Sequence, residues 1–249
     1  MHYSLIVPAW NEESLLGATL ANLRAVRDEL GAQGRSGELI VVDNNSTDRT
    51  AEVAREAGAS VVFEPVNQIA RARNAGAAAA SGTALVFIDA DTTLSAVLLR
   101  TALDRLDSGR AVGGGSTIAP DRQVSRAAQF GLDGWNRLSR TARYAAGCFV
   151  WCRRDAFEAV GGFSTKVYAG EEIYLSRALK RWGRTRGMRF EILDIAPVST
   201  STRKLEWYGP FALARQAATV FIPGALSSRR LMKTWYDDSG RAEERDRSG

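Results

Sequence analysis

Four apolar runs, YSLIVPA, GELIVVD, SVVFE and ALVFIDA, lie between residues 3 and 90 with helix-length segments between them. A run with no polar face to offer water is a strand covered on both sides. Strands of that kind alternating with helices form a mostly parallel sheet with helices on both faces. The connecting segments fit. An amphipathic stretch runs from Glu12 to about Leu30. NNSTDRTAEVAREAGA places Ser46 or Thr47 as an N-cap and Gly58 as a C-cap. QIARARNAGAAAASG reads as an alanine-rich helix closed by Gly82. The expected class is therefore α/β and Rossmann-like.

The second half is less regular. AVGGGSTI reads as a strand whose glycines admit a close backbone neighbour. Residues 122–142 have helical character interrupted by Gly131 and Gly134, and GCFVWCRR reads as a buried strand. Asp155 is expected to cap a helix ending at VGGF. Another helix runs from about Glu171 to Trp182, stopped by Gly183, and RFEILD is the last strand. A single domain is expected over 1–236, with a nucleotide-binding half at 1–93 and an acceptor half with C-terminal helices at 94–236. From Asp237 the chain reads DDSGRAEERDRSG, too polar to offset ordering entropy by burial, and a disordered tail is expected at 237–249.

Composition excludes several classes. The net charge of +5 is modest, and no basic run carries interleaved aromatics, which argues against nucleic acid. No stretch has the apolar length of a bilayer span, and the N-terminus lacks a signal layout. The expected location is cytoplasmic. Cys148 and Cys152 on one strand would stand roughly 13 Å apart, too far to bridge. With His2 the only histidine, a Cys/His zinc set cannot be assembled, so any metal is a hard cation held by carboxylates. The first strand lacks G-x-G-x-x-G after it and no Walker A sequence occurs, which disfavours dinucleotide and P-loop enzymes.

Ligands in such sheets bind beyond the carboxyl ends of the strands, where Pro8, Asp43, Asp89 and Asp91 all fall. Asp43 is either a turn or capping residue, or a carboxylate that accepts from a nucleobase N–H. Gln68, Arg71 and Asn74 share one helical face, either solvated or carrying Arg71 to a phosphate. Asp89 and Asp91 can hold a divalent cation that bridges diphosphate oxygens. They also formally match, with Thr93, the D-x-D-x-T of haloacid-dehalogenase-type phosphatases. That motif closes the first strand of its fold, whereas here it closes the fourth, and the later lysine and acidic pair have no counterpart.

Taken in order, IVPAWNEE, VVDNNSTDRT, ARARNAGAAAASG, FIDADTT, VGGF and GEEIYLSRAL resemble family 2 glycosyltransferases of the GT-A fold, over residues 4 to about 185. The resemblance implies that Pro8, Trp10 and Glu12 line the base and ribose pocket, with Trp10 where tyrosine is commoner, and that Asp43 binds the base. It implies that Asp89, Ala90 and Asp91 form the metal-and-diphosphate motif, Asp91 being the direct ligand of a magnesium or manganese ion. The VGGF glycines would let backbone approach the donor sugar or acceptor. In GEEIYL the acidic pair is Glu171–Glu172 where Glu-Asp is usual, and Glu172 is expected as general base, with Glu171 the alternative. No histidine follows the last strand. STSTRK stands there, offering Arg203 and Lys204 either to the diphosphate or to solvent.

The implied activity is transfer of a sugar from a nucleotide-diphosphate sugar to an acceptor hydroxyl with inversion. A non-catalytic nucleotide-sugar-binding protein and a nucleotidyltransferase are the alternatives from other classes. The acceptor is unidentified. The aromatic, apolar and arginine-rich stretch between Lys204 and Tyr236 suggests either a helix packed on the domain or one that also contacts an acidic membrane and a lipid-linked acceptor.

Overall fold

The computed structural model describes residues 2–203. The expected tail at 237–249 and the membrane-contact stretch from Lys204 onward lie outside the described residues.

The four apolar runs become β1 (Tyr3–Ala9), β2 (Gly37–Asp43), β3 (Ser60–Phe63) and β4 (Ala84–Ile88). They are joined by α1 (Glu13–Ala32), α2 (Thr50–Glu56) and α3 (Ile69–Ala79). β1 lies between β2 and β4, parallel to both, and is buried along its whole length. Successive strand residues face opposite sides. Thus Tyr3, Leu5 and Val7 pack with Leu16, Leu20 and Leu23 of α1, while Ile6 packs with Ala70 and Ala77 of α3. An apolar run with no alternation is what a strand between two helical layers requires.

The remaining elements are β5 (Thr92–Thr93), α4 (Ala96–Asp107), β6 (Ala111–Pro120), α5 (Arg126–Ala142), β7 (Phe149–Arg153), α6 (Arg154–Ala159), α7 (Glu171–Arg184) and β8 (Arg189–Thr200). One eight-stranded sheet runs in the order β3-β2-β1-β4-β7-β6-β8-β5. β7 is antiparallel to both β4 and β6, and β5 is antiparallel to β8, while β6 and β8 are parallel. The sheet is thus mostly parallel, as expected. Because β7 runs backwards, its first residues reach the same edge as the carboxyl ends of β1, β2, β4, β6 and β8.

Several local expectations are corrected. α2 begins at Thr50 rather than after Ser46 or Thr47, because the polar run is used in turns. Asp43 Oδ1 accepts from the Ser46 amide at 2.9 Å, Asp48 Oδ1 from the Thr50 amide at 2.9 Å, and Asn11 Oδ1 from the Thr47 amide at 2.8 Å. Gly82 does not close α3, which ends at Ala79. Gly183 lies inside α7, where a Cβ would stand 2.8 Å from Val112 Cγ1, so it is a packing position and not a stop. Gly131 and Gly134 do not interrupt α5. Asp155 sits in the first turn of α6, and its Oδ1 accepts from the Ala156 amide at 2.8 Å without occupying the cap.

The glycines of AVGGGSTI act as expected. A Cβ on Gly114 would lie 2.0 Å from the Glu191 carbonyl oxygen and 2.4 Å from the Trp151 ring. Neither neighbour can retreat, since Trp151 is fully buried and its indole donates to the Gly115 carbonyl at 3.2 Å. Gly114→Ala is therefore expected to cost about 2–3 kcal/mol by overpacking. Gly131→Ala, with nothing within 4 Å of its Cβ, should gain about 0.5–1 kcal/mol of helix propensity. Urea unfolding of both variants measures the contrast.

Candidate active site

At the carboxyl edge the β1–β4 pairing ends at Ile6↔Phe87, so Pro8, two residues further, breaks no bond of that ladder. Pro8 pairs in register with Val42, and Ala9 with Asp43. Asp43 is buried at the end of β2, holding the Ser46 turn through one carboxylate oxygen. Trp10, directly after β1, is half-buried. Glu12 precedes α1 and is buried. Its amide donates to Thr50 Oγ1 at 2.8 Å, and its carboxylate Oε2 accepts from Arg203 Nη2.

Asp89 follows β4 directly, and Ala90 is buried with its carbonyl accepting from Thr19 Oγ1 at 2.8 Å. Asp91 meets the end of β8. Its carbonyl accepts from the Ser201 amide at 3.1 Å, and its carboxylate Oδ2 lies 3.7 Å from Arg203 Nη2. Arg203 is therefore at the site, bridging Glu12 and Asp91 from a buried position.

Asp89 is reached by an arginine of α3, Arg73. Arg71 is exposed on α3. Arg73 is 1% exposed, and its Nη2 donates to Asp89 Oδ1 at 2.9 Å and to the Gly147 carbonyl at 2.8 Å. Its Nη1 donates to Glu171 Oε1 at 2.5 Å. Burial opposes the charge on Arg73, but Asp89, Glu171 and Glu172 outweigh it and raise its pKa. The signal was present in the sequence. Ala70, Arg73 and Ala77 fall on one helical face, and the small residues on either side mark that face as the one against the sheet.

Gln68 and Asn74, grouped with Arg71 by spacing, are structural. The Gln68 amide group donates to the Thr165 and Val167 carbonyls at 2.9 Å each, and Asn74 exchanges two hydrogen bonds with the Phe163 backbone. They tie down the loop that leads to α7. The VGGF glycines serve the same loop. Gly161 and Gly162 have φ of 81° and 70°, reversing the chain after α6 so that Phe163 enters the core, its ring 5.2 Å from the Arg73 guanidinium carbon.

The two glutamates at the start of α7 are placed differently. Glu171 is buried and ion-paired to Arg73. Glu172 is half-buried, with Oε2 on the Gly147 side, 3.8 Å from the position of a Cβ there. Loss of water around its carboxyl, then the neighbouring Glu171 charge, push its pKa up to about 8 against the opposing pull of Arg73. Burial, with Asp89 and Asp91 nearby, holds the Cys148 thiol well above its usual range, so it is no nucleophile here.

Among the described residues no group of three or more His, Cys, Asp or Glu side chains could hold a metal ion by itself. The donor set at Asp89 and Asp91 is all hard oxygen. It suits a cation that takes its remaining ligands from water and phosphate oxygens, as Mg²⁺ does.

This sheet order, with carboxylates and arginines gathered at the strand ends, is a GT-A type fold. Residues 4–161 match the profile of glycosyl transferase family 2, and the chain belongs to that family. A glycosyltransferase of unassigned specificity from Mycobacterium tuberculosis is 39% identical over 106 residues, covering 43% of this chain and 44% of the relative. The undecaprenyl-phosphate 4-deoxy-4-formamido-L-arabinose transferase of Edwardsiella ictaluri is 32% identical over 134 residues, covering 49% and 38%. The matches to these curated relatives span less than half of their length. Among solved structures, a mannosyltransferase from Pyrobaculum calidifontis in complex with GDP-Man and Mn²⁺ superposes with a TM-score of 0.67 at 20% identity. That match covers 93% of this chain and 64% of the other.

Removing Arg73 would leave Glu171 buried without its counter-charge. Arg73→Gln is expected to cost about 3–5 kcal/mol, and Arg71→Gln, on an exposed face, to stay within about 0.5 kcal/mol. Denaturant midpoints of the two variants decide between the arginines.

Proposed function

We propose that the chain transfers a hexose from a nucleotide-diphosphate sugar to an acceptor hydroxyl with inversion at the anomeric carbon. The observation that carries this reading is the division of labour at the start of α7. Arg73 neutralises Glu171, and the adjacent Glu172 keeps a raised pKa beside the strand-end aspartates. A carboxylate with that pKa is a general base suited to near-neutral pH.

The donor binds in the first half, with Asp43 at the base, Pro8, Trp10 and Glu12 around base and ribose, and Asp89, Ala90 and Asp91 toward the diphosphate. Asp91 would hold a divalent cation, with Asp89 beside it. When bound, such an ion offsets charge on the diphosphate as the bond to the sugar breaks. Arg203, already 3.7 Å from Asp91, adds positive charge on the same side. Glu172 takes the proton of the attacking hydroxyl from the opposite side of the sugar. The name of the Edwardsiella relative supports a lipid-linked acceptor. Among the described residues no helix is long and apolar enough to cross one.

Glu172→Gln should leave donor affinity nearly unchanged while lowering turnover about a hundredfold or more, and Glu171→Gln should cost much less turnover. In the wild type, turnover should rise as pH increases through about 8, the value of the Glu172 carboxyl, because the base works only when deprotonated. Stability moves the other way. The folded-state pKa is above the unfolded one, so the stabilising contribution is complete below about 4.5 and is lost as pH rises through about 8. The thermal midpoint of Glu172→Gln relative to wild type should therefore rise between pH 5 and pH 9. Full turnover in Glu172→Gln would replace the hydroxyl acceptor by one that is already ionised, such as a phosphate, and α-to-β correlation of donor and product by NMR tests the inversion.

A further inference from the structure

α5 packs on β6 and β8 by one flank only. Asn136 exchanges two hydrogen bonds with the Ile118 backbone, both at 2.9 Å, Trp135 packs against the main core, and Ser139 is buried. The other flank is apolar and open. Phe130 is 82% exposed and Leu138 53%, about 80° apart around the helix axis. Gly134 falls between them and Gly131 just beyond Leu138, with no side chain to shield either. Phe130 is the most exposed large hydrophobic side chain among the described residues.

The charge beside that stripe identifies the ligand. Arg126, Arg137 and Arg140 are all exposed, and at 100° per residue they occupy an arc of about 60° that borders Phe130. Arg143 follows at the helix end in a left-handed conformation, φ 53°. Asp133 is the only acidic residue from Arg126 to Arg143. Arg140 also lies 3.5 Å from Asp194, in a pair whose two side chains are each more than half exposed. A soluble protein partner would need a shaped surface, whereas a stripe of apolar side chains edged by arginines matches the boundary between acyl chains and anionic headgroups.

We propose that α5 lies in the surface of an anionic bilayer, with Phe130 and Leu138 inserted and Arg126 and Arg137 at the headgroups. The orientation that results is specific. α5 begins a few residues after Pro120, which pairs with Thr200, and Thr200 pairs with Thr92 next to Asp91. A membrane under α5 therefore lies beside the mouth of the site. The contact stands on α5 alone, and only its use in delivering a lipid-linked acceptor rests on the function proposed above.

The face has two other occupants to exclude. Thr202 is held at Asp121 and Arg122, so the described residues end near the start of α5, and residues 204–249 are one candidate. A second copy of the chain can also cover an apolar stripe. In the full-length protein, Leu138→Cys labelled with an environment-sensitive fluorophore reports the contact, since Cys148 and Cys152 are buried. The label should shift to the blue with vesicles of phosphatidylcholine mixed with phosphatidylglycerol, and not with phosphatidylcholine alone. Phe130→Glu should weaken co-sedimentation with the mixed vesicles about tenfold or more. Arg126→Ser with Arg137→Ser should weaken it and reduce its salt dependence.

Unchanged binding in Phe130→Glu would overturn the proposal. So would a Phe130→Glu protein that melts earlier in the absence of lipid, which places residues 204–249 on the stripe. A wild-type dimer converted by Phe130→Glu to monomer would assign the stripe to a second copy. Vesicle binding involves no turnover, so a failed transferase assay leaves this contact standing and a failed vesicle assay leaves the transferase reading standing.

Discussion

A buried guanidinium organises the site. Arg73 extends from α3 across the end of the sheet and bonds to Asp89 after β4, to the carbonyl of Gly147 before β7, and to Glu171 at the start of α7. Burying a charge of this kind costs several kcal/mol, which its partners offset only if the geometry is good. An apolar side chain would have packed α3 with less penalty. What the arginine supplies is position, since four separate elements are fixed relative to one another by one rigid, planar group. It also sets a charge balance. One cation faces Asp89, Glu171 and Glu172, so the group is short of positive charge, and the carboxylate that Arg73 does not pair directly has its pKa raised. That carboxylate is Glu172.

The two aspartates that follow β4 are one residue apart and are drawn to opposite sides. Asp89 turns to Arg73, while Asp91 turns toward Arg203 and the end of β8. Alternation along an extended chain places consecutive odd residues on one face. Here the chain turns after Asp89, with the Thr92 amide donating back to the Asp89 carbonyl at 3.2 Å, and this turn separates the pair. A strand end with two carboxylates is therefore not a surplus of charge. Each has an arginine brought from a distant segment, Arg73 from before the strand and Arg203 from after β8.

The parts of this arrangement that were legible in the sequence are those fixed by local pattern. The apolar runs gave β1 through β4, since a doubly covered strand leaves no alternative for YSLIVPA or ALVFI. The strand-end aspartates followed from those runs. The spacing of Gln68, Arg71 and Asn74 marks a polar face, whereas Arg73 lies on the buried small-residue face with Ala70 and Ala77. An arginine on a buried face is unusual enough that spacing alone does not announce it. The start of α2 was misplaced because Ser46, Thr47, Asp48 and Thr50 are all competent caps, and the choice among them depends on Asn11, which is brought close only by the β1–β2 pairing. Gly183 and Gly131 were both read as breaks. One is instead demanded by Val112 and the other lies in open space, a distinction that belongs to tertiary packing. That the Glu171 and Glu172 side chains diverge follows from helical geometry, but which of them is paired depends on where Arg73 points.

The reversal of β7 is the step that brings the second half of the chain to the strand ends of the first. β1, β2 and β4 bring only their carboxyl ends to the mouth, and a parallel β7 would add the Arg153 end to it. Its five residues would then place Gly147 on the far side of the sheet, ~17 Å away. Running antiparallel in register from Ile88↔Phe149 to Ala84↔Arg153, β7 brings Gly147 and Cys148 level with Asp89 instead. The Asp89 amide then donates to the Cys148 carbonyl at 3.3 Å, and Arg73 reaches the Gly147 carbonyl. The chain after β7 is thereby directed away from the mouth through α6 and must come back to it. The Gly161–Gly162 turn, with the loop held by Gln68 and Asn74, makes that return and delivers the start of α7 to Arg73. The glutamates thus arrive on α7 and Asp89 on the end of β4, and Arg73 joins the two.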